Sequence, residues 1–107
     1  MFARIVSIRL KANVVPELNQ ALESEIVPLL RQQRGFRDEV VLIAPNGKEA
    51  QAISFWESKE DAETYNRQGF PEVQKRLSKV TEGTAQVQNY EVASSTLHKI
   101  TARGNVA

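Results

Sequence analysis

A phenol, an amide and an aromatic ring stand close together in the chain at Tyr65, Asn66 and Phe70, and Asn89-Tyr90 repeat the amide and phenol further on. Side chains of these types orient a small aromatic or carbonyl compound, the polar tips by hydrogen bonds and the rings as flat apolar walls. Each also has an ordinary role in packing at the edge of a sheet or helix. Other chemistry-bearing types are scarce. With no cysteine, disulfides, thiolate metal sites, iron–sulfur clusters and a cysteine nucleophile are excluded. The single histidine, His98, is too few for a histidine-rich metal site within one chain. It titrates near neutrality, but it sits in the alternating stretch Thr96-Leu97-His98-Lys99-Ile100-Thr101-Ala102, beyond the last expected strand of the domain. It reads as a rim residue. No carboxylate pair has the spacing of glycosidase or metal chemistry, and glycine-rich phosphate loops and Gly-x-Ser-x-Gly are absent. No metal site is expected.

The elements that must position these residues follow from periodicity. In the first strand, residues 2–10, Phe2, Arg4, Val6, Ile8 and Leu10 share one face and Ala3, Ile5, Ser7 and Arg9 the other. Only one of Arg4 and Arg9 can therefore enter a cleft, and either reads as a snorkelling surface residue. Residues 15–34 switch to helical spacing through Leu18, Leu22, Ile26, Leu29 and Leu30, with Pro16 in the first turn and Gly35 as a left-handed stop. Pro28 removes the bond to the Ser24 carbonyl, which predicts a kink or a loosened turn. A strand over residues 36–44 returns through Pro45-Asn46-Gly47-Lys48 into a second over 49–56. Ser58-Lys59-Glu60-Asp61 is a capping-box pattern opening the next helix, which Gly69-Phe70-Pro71 breaks. A second helical segment should end at Gly83, and residues 84–96 should form a long strand with a bulge near Asn89.

At 107 residues the chain holds one domain, expected over 1–96, followed by an arm at 97–107 that could add a strand to a partner subunit. Its 41% hydrophobic and 25% charged residues and its net charge of +1 suit a globular protein and give no reason to expect nucleic acid or an anionic membrane as partner. No stretch approaches the ~20 apolar residues of a bilayer span. The N-terminal residues enter a strand without an apolar leader-like run, so cytoplasmic residence is the default expectation. The βαββαβ order implies an α+β, ferredoxin-like fold, a four-stranded antiparallel sheet with both helices on one face. The other face mixes Ala3, Ile5, Ser7 and Arg9 with apolar residues of 36–43. A two-fold homodimer with packed sheets would cover it.

Three stretches carry a family resemblance that spans nearly the whole chain: Arg34-Gly35-Phe36 after an amphipathic helix, Ser54-Phe55-Trp56-Glu57-Ser58 at a strand end, and Asp61-Ala62-Glu63-Thr64-Tyr65 in the following helix. In these the chain resembles the antibiotic biosynthesis monooxygenase family of dimeric α/β-barrel proteins. The resemblance implies a cleft lined by Trp56, with Arg76 beside it by ungapped counting. An indole wall would stack on a flat substrate, and a guanidinium would stabilise the phenolate or carbanion that must form before oxygen attacks. Ala52 stands where those enzymes have asparagine and Ala62 where they have tyrosine. Haem-degrading members place a tryptophan at the position of Tyr65 and the ligating histidine at that of Gln74, and neither residue here supplies an imidazole.

The expected activity is thus a cofactor-independent monooxygenase for a small cyclic or polycyclic aromatic phenol or quinol. Trp56 and Arg76 would be its catalytic residues, with Tyr65, Phe70 and Asn89 binding substrate. The alternative is a non-catalytic dimeric binding or stress-response module for an aromatic metabolite. An isomerase or cyclase of the same architecture would need a general base, and although Tyr65 or a carboxylate could serve, the sequence singles out none.

Overall fold

The alternation of the first segment is realised as β1, Phe2–Leu10, in a computed structural model that describes residues 1–96 and the backbone of Ile100–Thr101 and Gly104–Asn105. β1 lies between β3 (Glu49–Trp56) and β4 (Thr81–Glu91), and β2 (Phe36–Ile43) completes an antiparallel sheet of order β2-β3-β1-β4. The helical layer covers one face, as the ferredoxin-like order requires. It comprises α1 (Val15–Ala21), a π turn (Leu22–Ile26), α2 (Val27–Arg31), α3 (Lys59–Gln68) and α4 (Phe70–Leu77). No helix among the described residues is long and apolar enough to cross a membrane. The expected arm at 97–107, with His98, lies outside the described residues apart from a short ladder that pairs Ile100 with Asn105 and Thr101 with Gly104.

Buried apolar residues on the covered face form two clusters, bridged by half-buried Leu22 and Leu77, which pack against both. Phe2, Ile26, Leu30, Trp56, Ala62, Tyr65 and Val73 pack at one end, and Leu10, Leu18, Ala50 and Val80 at the other. β1 contributes Phe2 to the first and Leu10 to the second, so its middle residues cross the gap between them.

Pro28 acts as its chemistry dictates. Because it cannot donate to Ser24, the preceding turn widens and the Val27 N–H reaches back five residues to the Leu22 carbonyl. The expected loosening is one π turn, and the hydroxyl of Ser24 donates to the Gln20 carbonyl at 2.7 Å. The helix stops at Arg31, short of residue 34, and Gly35 follows at φ +78°. At the β2–β3 return, Gly47 N–H closes a turn onto the Ala44 carbonyl at 2.8 Å, and Asn46 Oδ1 accepts from Lys48 N–H at 2.8 Å. Ser58 caps α3, its Oγ accepting from Asp61 N–H at 3.1 Å.

The last strand corrects two expectations. Gly83 does not end a helix: α4 stops at Leu77, and Gly83 lies inside β4 at φ +74°. The bulge also falls there and not near Asn89, because the β1–β4 register shifts between Ser7 and Arg9, opposite Gln86 and Glu82. A left-handed glycine absorbs the extra residues of a bulge more cheaply than any other residue can.

Gly35 is where sequence choice meets the tightest packing. Its φ disfavours any side chain, and a Cβ would run into the carboxylate of Asp61. Gly35→Ala is expected to lower unfolding free energy by about 2 kcal/mol or more, through strain plus displacement of the α3 start. Urea denaturation of the variant against wild type measures it.

Candidate functional site: a cavity between the two core clusters

Strand register assembles the site. Arg4 on β1 is paired with Ser54 on β3, Ser54 with Glu39 on β2, and Arg4 on its other side with Asn89 on β4. The four form one row across the sheet. With strands about 4.8 Å apart, the Arg4 and Glu39 backbones stand about 10 Å from each other, separated by the small side chain of Ser54. Above this floor is a cavity of about 280 Å³, roofed by Leu22 and Ile26 of the π turn and by Tyr65, Phe70, Val73 and Leu77. It fills the gap between the two apolar clusters.

Arg4 is 2% exposed, which corrects its reading as a snorkelling surface residue. The β1 alternation turns it under the helices, and three groups accommodate it there. Its Nη2 donates to Asn66 Oδ1 at 2.6 Å, and its guanidinium carbon lies 4.1 Å from the Phe70 ring centre and 5.2 Å from that of Tyr65. Burial lowers its proton affinity from the ordinary value, yet a guanidinium keeps its charge in proteins. Ring faces attract that charge, more strongly where water is excluded.

Glu39, half-buried, is the second ionisable group of the row. Burial pushes its carboxyl up to about 7 from the ordinary 4.5. Its Oε1 is buried with no hydrogen-bond partner. Tyr65 completes the set: burial drives its phenol further from ionisation, the Arg4 charge opposes that shift, and Glu39 adds to it. The phenol therefore lies within electrostatic reach of both groups. A fixed cation, a carboxyl that titrates near neutrality and a phenol share one small apolar cavity.

Trp56 supports this arrangement from behind. It is fully buried, stacked on Tyr65 at 4.8 Å and edge-on to Phe36 at 5.5 Å. Its Nε1 donates to Ser54 Oγ at 2.9 Å, and that hydroxyl donates to the Arg4 carbonyl at 3.5 Å. The cavity wall does not include it, so Trp56 holds Tyr65 and Ser54, which do line the wall. Gly69 permits the same packing, since a Cβ there would sit 2.7 Å from the Tyr65 ring. Arg76 is elsewhere. It lies on the outer surface of α4, where it bonds to Glu72 and Glu25 at 3.0 Å each. Tyr65 and Phe70 line the cavity, Asn66 reaches it through Arg4, and Asn89 extends the row but is exposed outside the lining. Tyr90 is on the opposite sheet face and 49% exposed.

Two residues of the site escaped the sequence reading. The signal for Arg4 was present, since it shares a face with Val6 and Leu10. Glu39 was concealed by a register shift between Phe36 and Asp38. Counting by twos from Phe36 turns Glu39 away from the helices, and only counting back from Ile43 and Val41 turns it inward. Among the described residues no group of three or more acidic or histidine side chains gathers to hold a metal ion.

No known family profile matches the chain, and no curated protein matches its sequence. Solved structures with the same fold are numerous. A Bordetella bronchiseptica protein provisionally named an antibiotic biosynthesis monooxygenase superposes with a TM-score of 0.72 at 15% identity, over 85% of this chain and 95% of that one. A monooxygenase from the Streptomyces coelicolor gene ActVA-Orf6, solved with nanaomycin D, gives 0.69 at 15% identity, over 83% and 84%. The haem-degrader MhuD of Mycobacterium tuberculosis, solved with two haems in its active site, gives 0.72 at 19% identity, over 90% and 99%. At these identities the likeness shows the fold.

The position of Glu39 has a measurable cost. Its folded proton affinity is raised, so the native state holds a proton that the unfolded chain releases between pH 4.5 and about 7. Its contribution to stability is complete below pH 4.5 and falls as pH rises through about 7. Between those limits wild type should lose on the order of 2–3 kcal/mol that Glu39→Gln does not lose, taking about 1.4 kcal/mol per pKa unit and discounting for partial exposure. Denaturant melts of both proteins on either side of the window measure the difference.

Proposed function

We propose that the protein is a cofactor-independent monooxygenase whose substrate, a small cyclic aromatic phenol or its keto form, binds in the Arg4–Glu39 cavity. The observation that carries this reading is the buried Arg4 guanidinium, seated on the Phe70 ring and opening onto a cavity where it is the one cation among the described residues. Such a group stabilises the oxygen of a phenolate or enolate. A deprotonated ring of this kind is electron-rich enough to reduce dioxygen itself. The carbanionic carbon forms a bond to O2, the peroxide takes up a proton, and loss of water across the C–O–O–H unit leaves a new carbonyl. A ring CH2 and O2 thus become a ring C=O and H2O, with every electron drawn from the substrate. Ligand pockets run from about 300 Å³ upward, so a cavity of about 280 Å³ favours a compact, flat molecule.

Arg4 takes the role that the resemblance implied for Arg76, and Trp56 becomes a positioning residue behind Tyr65. Haem does not fit the cavity. Among the described residues its lining offers neither imidazole nor thiolate, and Tyr65 is held further from the phenolate that iron would need.

Oxygen uptake with anthrone as substrate is expected to exceed the protein-free rate. Arg4→Met should lower it by about 10²-fold or more, whereas Arg76→Ala should stay near wild type. Loss with Arg76→Ala alone would move the site to the α4 surface. Anthraquinone binding without oxygen uptake would leave a binding module.

We further infer that a second copy covers the bare sheet face, where Ile5, Val40, Leu42 and Ile53 cluster and Leu42 is 53% exposed. Light scattering at micromolar concentration should give twice the 12.0 kDa of one chain. Leu42→Glu should shift the mass toward one chain; a monomeric wild type would overturn the inference.

A further inference from the structure

We propose that Glu39 is the catalytic base of this cavity, taking a proton from the ring carbon of a cyclic ketone whose oxygen faces Arg4 at the other end. The proposal deepens the oxygenase reading above and rests on it for the identity of the ring. Three geometric facts support it. Register puts Glu39 and Arg4 on either side of Ser54 in one row, about 10 Å apart at the backbone. That span accommodates a ring with its oxygen and its acidic carbon on opposite edges. Oε1 of Glu39 is buried on the cavity without a hydrogen-bond partner. An orphaned buried acceptor is destabilising, a penalty relieved when a bound molecule brings it a proton. Finally, Arg4 is committed to Asn66 and two rings and forms no ion pair with Glu39, so the carboxylate is not neutralised by the cation that shares its cavity.

Among the described residues the charged and titratable groups that share the cavity with Glu39 are Arg4 from β1, Tyr65 from α3 and Glu82 from β4. Those that β3, α4 and the π turn present to the cavity are uncharged. In this setting the carboxyl titrates at about 7, where a general base combines availability with driving force. The step needs no oxidant. The C–H bond breaks, the proton goes to Glu39 and the electron pair delocalises through the ring to the oxygen at Arg4. In heavy water the protonated carboxyl exchanges with solvent and returns a deuteron to the carbon.

Anaerobic hydrogen–deuterium exchange at the methylene of anthrone, followed by NMR, isolates this step from oxygen chemistry. Wild type should exchange faster than buffer, with a rate that rises through about pH 7. Glu39→Gln should exchange about 10²-fold or more slowly and lose that pH dependence. Glu39→Asp should keep the pH dependence at a reduced rate, while quenching of Trp56 fluorescence by anthraquinone stays at the wild-type level in both variants. Exchange by Glu39→Gln at the wild-type rate would overturn the proposal, and so would wild type that exchanges no faster than buffer. Exchange by wild type without oxygen uptake in air would uphold Glu39 as base and sink the oxygenase reading.

Discussion

A guanidinium under a helical layer must be given partners or it unfolds the layer, and the fold around Arg4 is organised by that requirement. β1 is the central strand joining β3 to β4, so its alternation is constrained on both sides and Arg4 cannot turn outward without displacing Phe2, Val6 and Leu10 as well. The helices answer with Asn66 at the end of a hydrogen bond and with Tyr65 and Phe70 as ring faces. Those rings need support in turn. Trp56 stacks on Tyr65, Phe36 braces Trp56, and Gly69 lets the Tyr65 ring approach the backbone. A chain of aromatic contacts thus runs from the buried charge to the start of β2.

The same arrangement explains why the core comes in two parts. A continuous apolar core would leave no room for Arg4 and Glu39. Small side chains at Ala52 and Ser54 keep the floor open beneath the row, and larger residues close it at both ends. Leaving this space unfilled forgoes packing energy that larger residues would recover. The fold accepts that loss where it holds its buried charge and its unpaired carboxyl oxygen, a combination typical of sites that handle ligands.

The architecture was legible in the sequence because it depends on local signals. Period-two runs, the Ser58 cap, the Pro45-Asn46-Gly47 return and the stop at Gly35 each act within a few residues of where they are read. The site was less legible because it depends on register between strands. Tyr65 and Phe70 were found, since their helix break is a local feature. Arg4 was visible but weighed as a surface residue, because a lone arginine gives no sign of the distant rings and amide that will receive it. Glu39 was hidden by the irregularity at the start of β2, which reverses parity for the residues after it. Gly83 misled in the opposite way: a left-handed glycine ends many helices, yet here it absorbs a bulge in the final strand.

The π turn carries a further consequence. It holds one residue more than an α turn would, and by absorbing that surplus it lets Leu18 before it and Leu30 after it both face the sheet. Deleting a single residue between Leu22 and Val27 would close the π turn and leave both sides facing as they do, whereas winding all the same residues as ordinary α-helix would turn one side about 100° relative to the other. Leu30 would leave its cluster, or Leu18 would leave the other one. The shape of the chamber is therefore tied to the winding of its first helix as well as to side-chain identity, and chains of this fold that wind it differently would enclose differently shaped spaces.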